Sequence, residues 1–273
     1  GPLVIDEFPY LALGAPELPS VLQRWIDHDA RRAGLKVALC GSSQRMMQGL
    51  ALSASAPLYG RAQVLFEVRP LAVSHLRAAF GARSAVDLCR LYTAWGGVPR
   101  YWELAVDVGR DVVQQIDPLG PLHDEPDRLL LEELPPAVEL RPLLDAIGAG
   151  AHRVSEIGAR LGRPATSLSR PMLRLQELGL LRRETPFGED ERKGKRALYR
   201  LDDPFVRMWF RVVAPHRAAL LTSRPAERRR LLSRHLPGLL ATAWEELCRS
   251  LLPGVEVGIG EVGPFGPGSR WWR

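Results

Sequence analysis

The sequence predicts an α/β domain followed by a mainly helical domain. Near the N-terminus, the short apolar runs LVI and LKVALC each precede polar residues, and a helical pattern over residues 20–34 lies between them. A strand, a helix and a second buried strand form a βαβ unit, whose strands are parallel. A third strand is expected at QVLFEV, residues 63–68. Further along the chain, apolar residues recur at helical spacing and glycines mark the helix ends.

The composition is that of a folded protein of 273 residues, long enough for two domains. Hydrophobic residues make up 46% and charged residues 25%, which excludes a disordered chain. No apolar run is long enough for a membrane span, and no signal-peptide pattern is present. The three cysteines and six histidines are scattered, which argues against disulfides and metal-ligand motifs and fits a reducing cytoplasm. The net charge of +6 permits an acidic partner such as nucleic acid without requiring one.

Two carboxylates, Asp6 and Glu7, directly follow the first predicted strand. Open α/β sheets bind their ligands at the C-terminal ends of the strands. A hydrophobic strand that ends in Asp-Glu is typical of a Walker B segment, where the aspartate holds Mg²⁺ through water and the glutamate polarises the attacking water. The alternative is a strand that runs into an acidic turn, since such short strings are common.

Four short motifs in a fixed order resemble a known family. VIDEFPYL, LCGSSQRMM, PLYGRA and WGGVPRYW are similar to the Walker B segment, sensor strand, arginine loop and Gly-x-Pro motif of the archaeal-type ATPases. These are P-loop NTPases of the signal-transducing AAA-like group. The resemblance continues into WEELCRSLLP and so spans nearly the whole chain. It implies a nucleotide-dependent molecular switch with ATP and Mg²⁺ as its ligands.

The resemblance implies roles for the polar residues at the two strand ends. Asp6 would be the Mg²⁺ partner, and Glu7 would be the catalytic carboxylate. Either Ser42 or Ser43 would sense the γ-phosphate. For Ser43, a hydroxyl that caps the end of the strand is an equally good interpretation.

Three further positions take their expected roles from the same resemblance. Arg61 is a candidate for contact with phosphate or with a neighbouring domain, and Gly97 with Pro99 would abut the adenine. The alternatives are a solvated loop arginine at Arg61 and a helix-breaking turn at Gly97 to Pro99.

One motif of the family is absent from the sequence. No G-x-x-x-x-G-K-[ST] occurs, so the loop whose amides and lysine cradle the β- and γ-phosphates is missing. In the family this loop precedes Walker B, so the chain is expected to begin part-way through an ATPase domain. In the family, the P-loop strand lies between the sensor strand and the strand expected at residues 63–68. Without it, those two strands would have to close the gap between them or leave their edges unpaired. This chain alone is therefore expected to be inactive as an ATPase.

Residues 139–202 show three short helical periods with glycine stops, followed by alternating segments around the charged turn GEDERKG. This pattern predicts a winged helix, whose third helix can enter the major groove of duplex DNA. Four residues are expected to lie on or near the exposed side of that helix: Ser167, Ser169, Arg170 and Arg174. The wing is only weakly basic, so binding of DNA and packing against a protein or a neighbouring domain are both open.

The sequence thus divides into a partial ATPase core at 1–72, a helical lid region with the Gly-x-Pro motif at 73–138, a winged helix at 139–202 and a helical C-terminal segment at 203–273. The arginine-rich stretch SRPAERRRLLSRH predicts a solvated helix face, with phosphate contact as the alternative. The resemblance implies that the last segment leads into a nuclease-like domain, with Glu245 on its first helix. Too few carboxylates converge for nuclease chemistry, and both ends of the chain are expected to be truncated.

The string GIGEVG, residues 258–263, matches a dinucleotide-binding pattern, but prolines and glycines follow where a helix should begin, so it predicts a loop. Two hypotheses of different classes remain. The first is a switch ATPase of which this chain is a part. The second is a non-enzymatic winged-helix module, which binds DNA or protein and carries a vestigial ATPase half.

Overall fold

The structure is a computed structural model that describes residues 1–133, 140–189, 196–255 and 265–270. The described residues are mainly helical and form two separate two-stranded sheets. Within them, no helix has both the length and the apolar character that a membrane crossing requires.

The chain divides into two compact units, and the first comprises Gly1–Val68. Its elements in chain order are β1 (Leu3–Ile5), α1 (Phe8–Gly14), α2 (Leu18–Trp25), β2 (Val37–Leu39) and α3 (Gln44–Met47), with π-helical turns at Ile26–Ala30 and Gln48–Leu52. The two strands are parallel, and Val4 lies opposite Ala38. The predicted order of strand, helix and second parallel strand is therefore confirmed.

The expected sheet of buried strands is wrong in two respects. Leu3 and Val4 of β1 are 41% and 57% exposed, so this strand is not covered on both faces. Residues 63–68 form no strand, and Val64 and Phe66 are 78% and 83% exposed. A strand needs a neighbour for its backbone N–H and C=O groups, and no strand of the described chain forms a ladder with this segment. Apolar β-formers alone do not supply that neighbour.

The N-terminal unit has its own small core. Phe8, the first residue of α1, is fully buried and packs with Leu22 and Leu58. Trp25 and Leu39 cover the edges of this cluster. The core therefore fixes the start of α1 next to the strand pair, directly after the two carboxylates.

The second unit, Arg69–Arg273, is helical apart from one hairpin in its described part. Its elements are α4 (Leu76–Phe80), α5 (Ala85–Trp95), α6 (Pro99–Asp107), α7 (Glu125–Glu133), α8 (Arg141–Gly148), α9 (Val154–Leu161), α10 (Ser169–Glu177), β3 (Leu181–Glu184), β4 (Leu198–Leu201), α11 (Pro204–Met208), α12 (Ala214–Thr222) and α13 (Pro225–Leu251). Short 3-10 segments occur at Val73–His75, Val112–Ile116 and Ala165–Leu168, and a π-helical segment at Trp209–Val213 joins α11 to α12.

Aromatic side chains join the helices of the C-terminal unit. Trp209 is fully buried, and its indole Nε1 donates a hydrogen bond of 2.7 Å to the carbonyl oxygen of His123. Tyr101 of α6 meets the ring of Phe205 of α11 edge-on, with 5.1 Å between centroids. Large aromatic groups with a satisfied polar atom contribute strongly to a core. These contacts connect segments that lie about a hundred residues apart in the sequence.

Three helices and a hairpin occupy the segment predicted as a winged helix. The helices α8, α9 and α10 are followed by the antiparallel pair β3 and β4, in which Leu181 lies opposite Leu201. Gly162 and Gly179 adopt positive φ angles at the ends of α9 and α10, as the glycine stops predicted. Most of the charged turn GEDERKG and all of GIGEVG lie outside the described residues.

Gly148 provides a test of the packing between α8 and the π-helical segment. It is buried, and an added Cβ would lie 2.4 Å from the Cβ of Phe210. We expect Gly148→Ala to lower the free energy of unfolding of the C-terminal unit by about 1–3 kcal/mol, as measured by urea denaturation. The control is Gly238→Ala in α13, where the added Cβ would meet no described atom within 4 Å beyond its chain neighbours and its own helix backbone. It should raise stability by roughly 0.5–1 kcal/mol through helix propensity. Equal stability of Gly148→Ala and wild type would contradict this packing.

Candidate functional site

The ends of β1 and β2 bring a predicted carboxylate and a predicted hydroxyl into contact. The Glu7 carboxylate accepts hydrogen bonds from the backbone N–H of Ser42 at 3.3 Å and from its hydroxyl at 3.1 Å. The Asp6 carboxylate accepts a hydrogen bond of 2.9 Å from the backbone N–H of Glu7. We refer to Asp6, Glu7 and Ser42 as the strand-end site.

Backbone contacts hold the strand-end site in place. The N–H of Cys40 donates to the carbonyl oxygen of Ile5, and the N–H of Phe8 donates to the carbonyl oxygen of Cys40, both at 2.9 Å. A Cβ on Gly41 would lie 2.6 Å from the ring of Pro9, so the loop after β2 can approach α1 this closely only at a glycine. The residue after β2 is therefore brought against the residues after β1.

Glu7 has a strained backbone. Its φ of 48° lies in the left-handed region, which residues with a side chain seldom adopt. Such a conformation costs on the order of 1 kcal/mol and persists where the surrounding structure enforces it, as it often does at functional sites. Here the tight turn from β1 into α1 enforces it and directs the carboxylate to Ser42.

The strand-end site is open to solvent. Both carboxylates and the Ser42 hydroxyl are exposed, so water and a ligand have access to them. Among the residues that the structure describes, no three His, Cys, Asp or Glu side chains are grouped as a metal site. Mg²⁺ is commonly held by one or two carboxylates together with waters and substrate phosphates. The side chains of Asp6 and Glu7 fit that kind of site.

The structure separates the roles of the two neighbouring serines. Ser43 is buried, and its hydroxyl oxygen accepts a hydrogen bond of 3.3 Å from the backbone N–H of Met46, which makes it the N-cap of α3. Ser42 is exposed and contacts Glu7. Ser42 is thus the serine that is available to a ligand, and the sensing of a γ-phosphate stays a prediction.

Arg61 is held within the N-terminal unit. Its guanidinium donates to both carboxylate oxygens of Asp27 at 2.9–3.1 Å and to the carbonyl oxygens of Pro57 and Tyr59. The hydrogen bonds from Arg61 lower the pKa of Asp27. Contact of Arg61 with a phosphate would require this bidentate pair to open, and this role also stays a prediction.

Gly97 and Pro99 form a tight turn in the C-terminal unit. The carbonyl oxygen of Gly97 accepts a hydrogen bond of 2.7 Å from the N–H of Leu71, and a Cβ on Gly97 would lie 2.6 Å from the carbonyl oxygen of Leu71. Pro99 occupies the first turn of α6, where its missing N–H costs nothing. Close packing therefore accounts for the glycine and helix initiation for the proline. Contact with adenine stays a prediction.

The third helix of the winged-helix segment, α10, exposes a basic face. Met172 and Leu175 are buried, whereas Arg170 is exposed and Arg174 is half-buried. In the described part of the chain, neither guanidinium has a hydrogen bond or an ion pair. Positions four residues apart lie on the same side of a helix, so the two arginines act on one surface.

The two serines near the start of α10 differ in their engagement. The hydroxyl of Ser167 donates a hydrogen bond of 2.8 Å to the carbonyl oxygen of Pro164 and so closes the preceding 3-10 turn. Ser169 is exposed at the first position of α10. Ser169 is thus the more accessible hydroxyl, although Ser167 can still accept a hydrogen bond.

The sequence pattern did not reveal a basic cavity in the C-terminal unit. We call it the basic cleft, and its basic side chains are His152, Arg200, Arg207, Arg211, Arg234 and His235. The spacing of Arg207 and Arg211, which places both on one helical face, was the sequence feature that could have indicated this cavity.

Within the arginine-rich stretch at 223–235, Arg228 forms an ion pair with Asp117, so that helix face is not uniformly solvated. Glu245 forms an ion pair with Arg270.

Comparison with known proteins finds a curated relative of this chain. The chain is 30% identical over 222 residues to the uncharacterized protein MJECL04 of Methanocaldococcus jannaschii. The match covers 80% of this chain and 50% of the relative, so the chain spans about half the length of the curated relative it matches. No family model matches the chain. No solved structure matches it.

Substitution of Ser42 and of Ser43 tests the separate roles of these two serines. We expect Ser43→Ala to lower the local stability around α3 by about 1 kcal/mol, because the helix loses its cap. Ser42→Ala should change it by less than about 0.5 kcal/mol, since the hydroxyl is exposed. Amide hydrogen exchange over residues 44–52 measures both effects. Equal protection in the two variants would contradict the separation of roles.

Proposed function

We propose that the N-terminal unit is part of the catalytic core of a Mg²⁺-dependent P-loop ATPase, a nucleotide-dependent molecular switch. The observation that supports this most is the contact between Glu7 and Ser42 at the C-terminal ends of two adjacent parallel strands. That edge is where α/β sheets bind ligands. A carboxylate after one strand and a hydroxyl after the next are the groups needed beside an attacking water and a γ-phosphate.

The proposed roles follow from the position and chemistry of each side chain. Glu7 would accept a hydrogen bond from the attacking water and polarise it, while the hydroxyl of Ser42 holds the carboxylate in position. Asp6 would bind a water of the metal shell, since its carboxylate is exposed beside Glu7. When bound, Mg²⁺ neutralises the charge that develops on the phosphate oxygens.

The same proposal includes the finer features of the fold. In it, β1 and β2 are the Walker B and sensor strands of a larger P-loop sheet, and the segment from α8 to β4 is a winged helix. These 273 residues contain no G-x-x-x-x-G-K-[ST], so the loop that cradles phosphates is not supplied by them. Without that cradle, positioning and charge stabilisation of ATP are both lost.

Glu7 can be tested in a longer form of the protein that carries a phosphate-binding loop. We expect Glu7→Gln to retain Mg-ATP binding but to hydrolyse ATP at least about 100-fold more slowly, because an amide cannot act as a base. The matched control is Glu17→Gln, which removes the same charge from an exposed position of the same unit. The 273-residue chain should show no turnover. Wild-type hydrolysis by Glu7→Gln would remove Glu7 from this role.

A second candidate function is DNA binding by a non-enzymatic winged-helix module. It is favoured by the basic face of α10, where Arg170 and Arg174 have no carboxylate partner in the described part of the chain. The third helix of such a fold is the one that enters the major groove. Guanidinium groups without a partner can bind backbone phosphates, which contribute most of the affinity for DNA. The alternative is that this face of α10 binds a protein partner, and the salt dependence of DNA binding distinguishes the two.

Binding of duplex DNA is expected to be weak and salt-sensitive, with α10 at its centre. Arg170→Ala combined with Arg174→Ala should reduce the log-log salt slope by about 1.8, at about 0.9 for each lost phosphate contact. Fluorescence anisotropy over a salt series measures the slope. The control replaces Arg77 and Arg100, two exposed arginines on α4 and α6, and should leave the slope unchanged. An unchanged slope in the α10 variant, or no binding at low salt, would favour a protein partner.

A further inference from the structure

The basic cleft has a volume of about 260 Å³ and combines side chains from separate segments of the C-terminal unit. His152 follows α8, Arg200 lies on β4, Arg207 and Arg211 lie on α11 and the π-helical segment, and Arg234 with His235 lies on α13. Among the described residues that line the cleft, none is acidic. Six basic side chains of this described lining therefore face one concave surface.

One side of the basic cleft is fixed by ion pairs. The guanidinium of Arg207 donates hydrogen bonds of 3.0 Å to Glu246 and 2.9 Å to the carbonyl oxygen of Leu201, among others to the backbone of the same turn. The Nε of Arg200 lies 3.2 Å from a carboxylate oxygen of Glu184. Neither carboxylate is among the described lining residues of the cleft, and each also pairs with Arg182. Arg200 and Arg207 are thus anchored by ion pairs on this side.

The other side carries uncompensated charge. Within the described residues, Arg211 has a single long hydrogen bond of 3.4 Å to the carbonyl oxygen of Gly148, and Arg234 has no hydrogen bond or ion pair. By contrast, the nearby Arg217 and Arg228 pair with aspartates. Two guanidinium groups thus share a cavity wall without an anion, an arrangement that favours an anionic ligand.

His235 shows the effect of this positive field. Its pKa is lowered by burial and by the charges of His216, Arg211 and Arg234. Its ring centroid lies 5.6 Å from that of His216 on α12. A neutral imidazole at His235 can donate one hydrogen bond to an anion without adding to the repulsion among the positive charges of the cleft.

We infer that the basic cleft binds the phosphoryl groups of a small phosphorylated molecule, with Arg211 and Arg234 as the principal ligands. Planar guanidinium groups match phosphate oxygens and are the usual choice for such recognition. A volume of about 260 Å³ lies just below the usual range for drug-sized ligands. It suits a diphosphate with a small attached group, and a concave pocket does not fit the convex backbone of a duplex. The lining of the basic cleft shares no residue with the strand-end site or with α10.

Titration calorimetry with inorganic pyrophosphate, without divalent metal and at low salt, tests the site on the 273-residue chain. We expect saturable binding to one site. Arg211→Gln combined with Arg234→Gln should weaken it at least about tenfold, since each charge-assisted hydrogen bond is lost. Both side chains are exposed, so the fold should be retained, as circular dichroism will show. The control replaces Arg77 and Arg100 by Gln, which changes the net charge equally and should leave the affinity unchanged.

A second arm of the experiment distinguishes the source of the phosphoryl groups. If ADP binds more tightly than pyrophosphate, and if replacement of Arg211 and Arg234 abolishes this binding, the site is supported and its ligand is a nucleotide. Tighter binding of pyrophosphate would support a non-nucleotide diphosphate. The proposal is overturned if pyrophosphate does not saturate the protein, or if the cleft variant and the control variant bind it equally. Neither result depends on Glu7, so failure here is distinct from failure of the ATPase proposal.

Discussion

Two largely buried carboxylates, Glu184 on β3 and Glu246 on α13, join the hairpin to the long C-terminal helix. Glu184 is only 9% exposed, and Arg182 and Arg200 lie 3.0 and 3.2 Å from its oxygens. Burial acts to raise the pKa of Glu184, but the guanidinium groups of Arg182, Arg270, Arg200 and Arg249 together hold it below its ordinary value. Removal of one partner from such a buried pair leaves an uncompensated charge and costs about 3–5 kcal/mol. The mutual arrangement of hairpin and helix therefore depends on this network.

The same network orients both ligand-binding surfaces that we propose in the C-terminal unit. Arg200 and Arg207, which pair with Glu184 and Glu246, form the fixed side of the basic cleft. β3 follows α10 directly, so the hairpin also fixes the helix that carries Arg170 and Arg174. In the N-terminal unit, the corresponding constraint is the close approach of Gly41 to Pro9, which brings Ser42 to Glu7. In both units, a local packing constraint presents polar groups at an accessible surface.

Most of the features that could be predicted from sequence are those set by neighbours along the chain. Glycines marked the ends of α9 and α10, and alternating residues marked the hairpin. The features that could not be predicted depend on distant partners. Residues 63–68 have the composition of a strand, but a strand also needs a paired neighbour. Adjacent serines cannot be told apart by pattern, although one caps α3 and the other contacts Glu7. The basic cleft unites residues from His152 to His235, a separation that no local spacing encodes.

A double-mutant cycle on Arg207 and Glu246 tests most directly whether the ion-pair network organises the C-terminal unit. The two side chains are joined by two contacts of 3.0 Å and are largely buried. The free energy of unfolding is measured by urea denaturation for wild type, Arg207→Met, Glu246→Met and the double variant. We expect the double variant to lose at least about 1.5 kcal/mol less than the sum of the single losses, because both largely buried charges are removed together. Losses that add to within about 0.5 kcal/mol would contradict the organising role of the network.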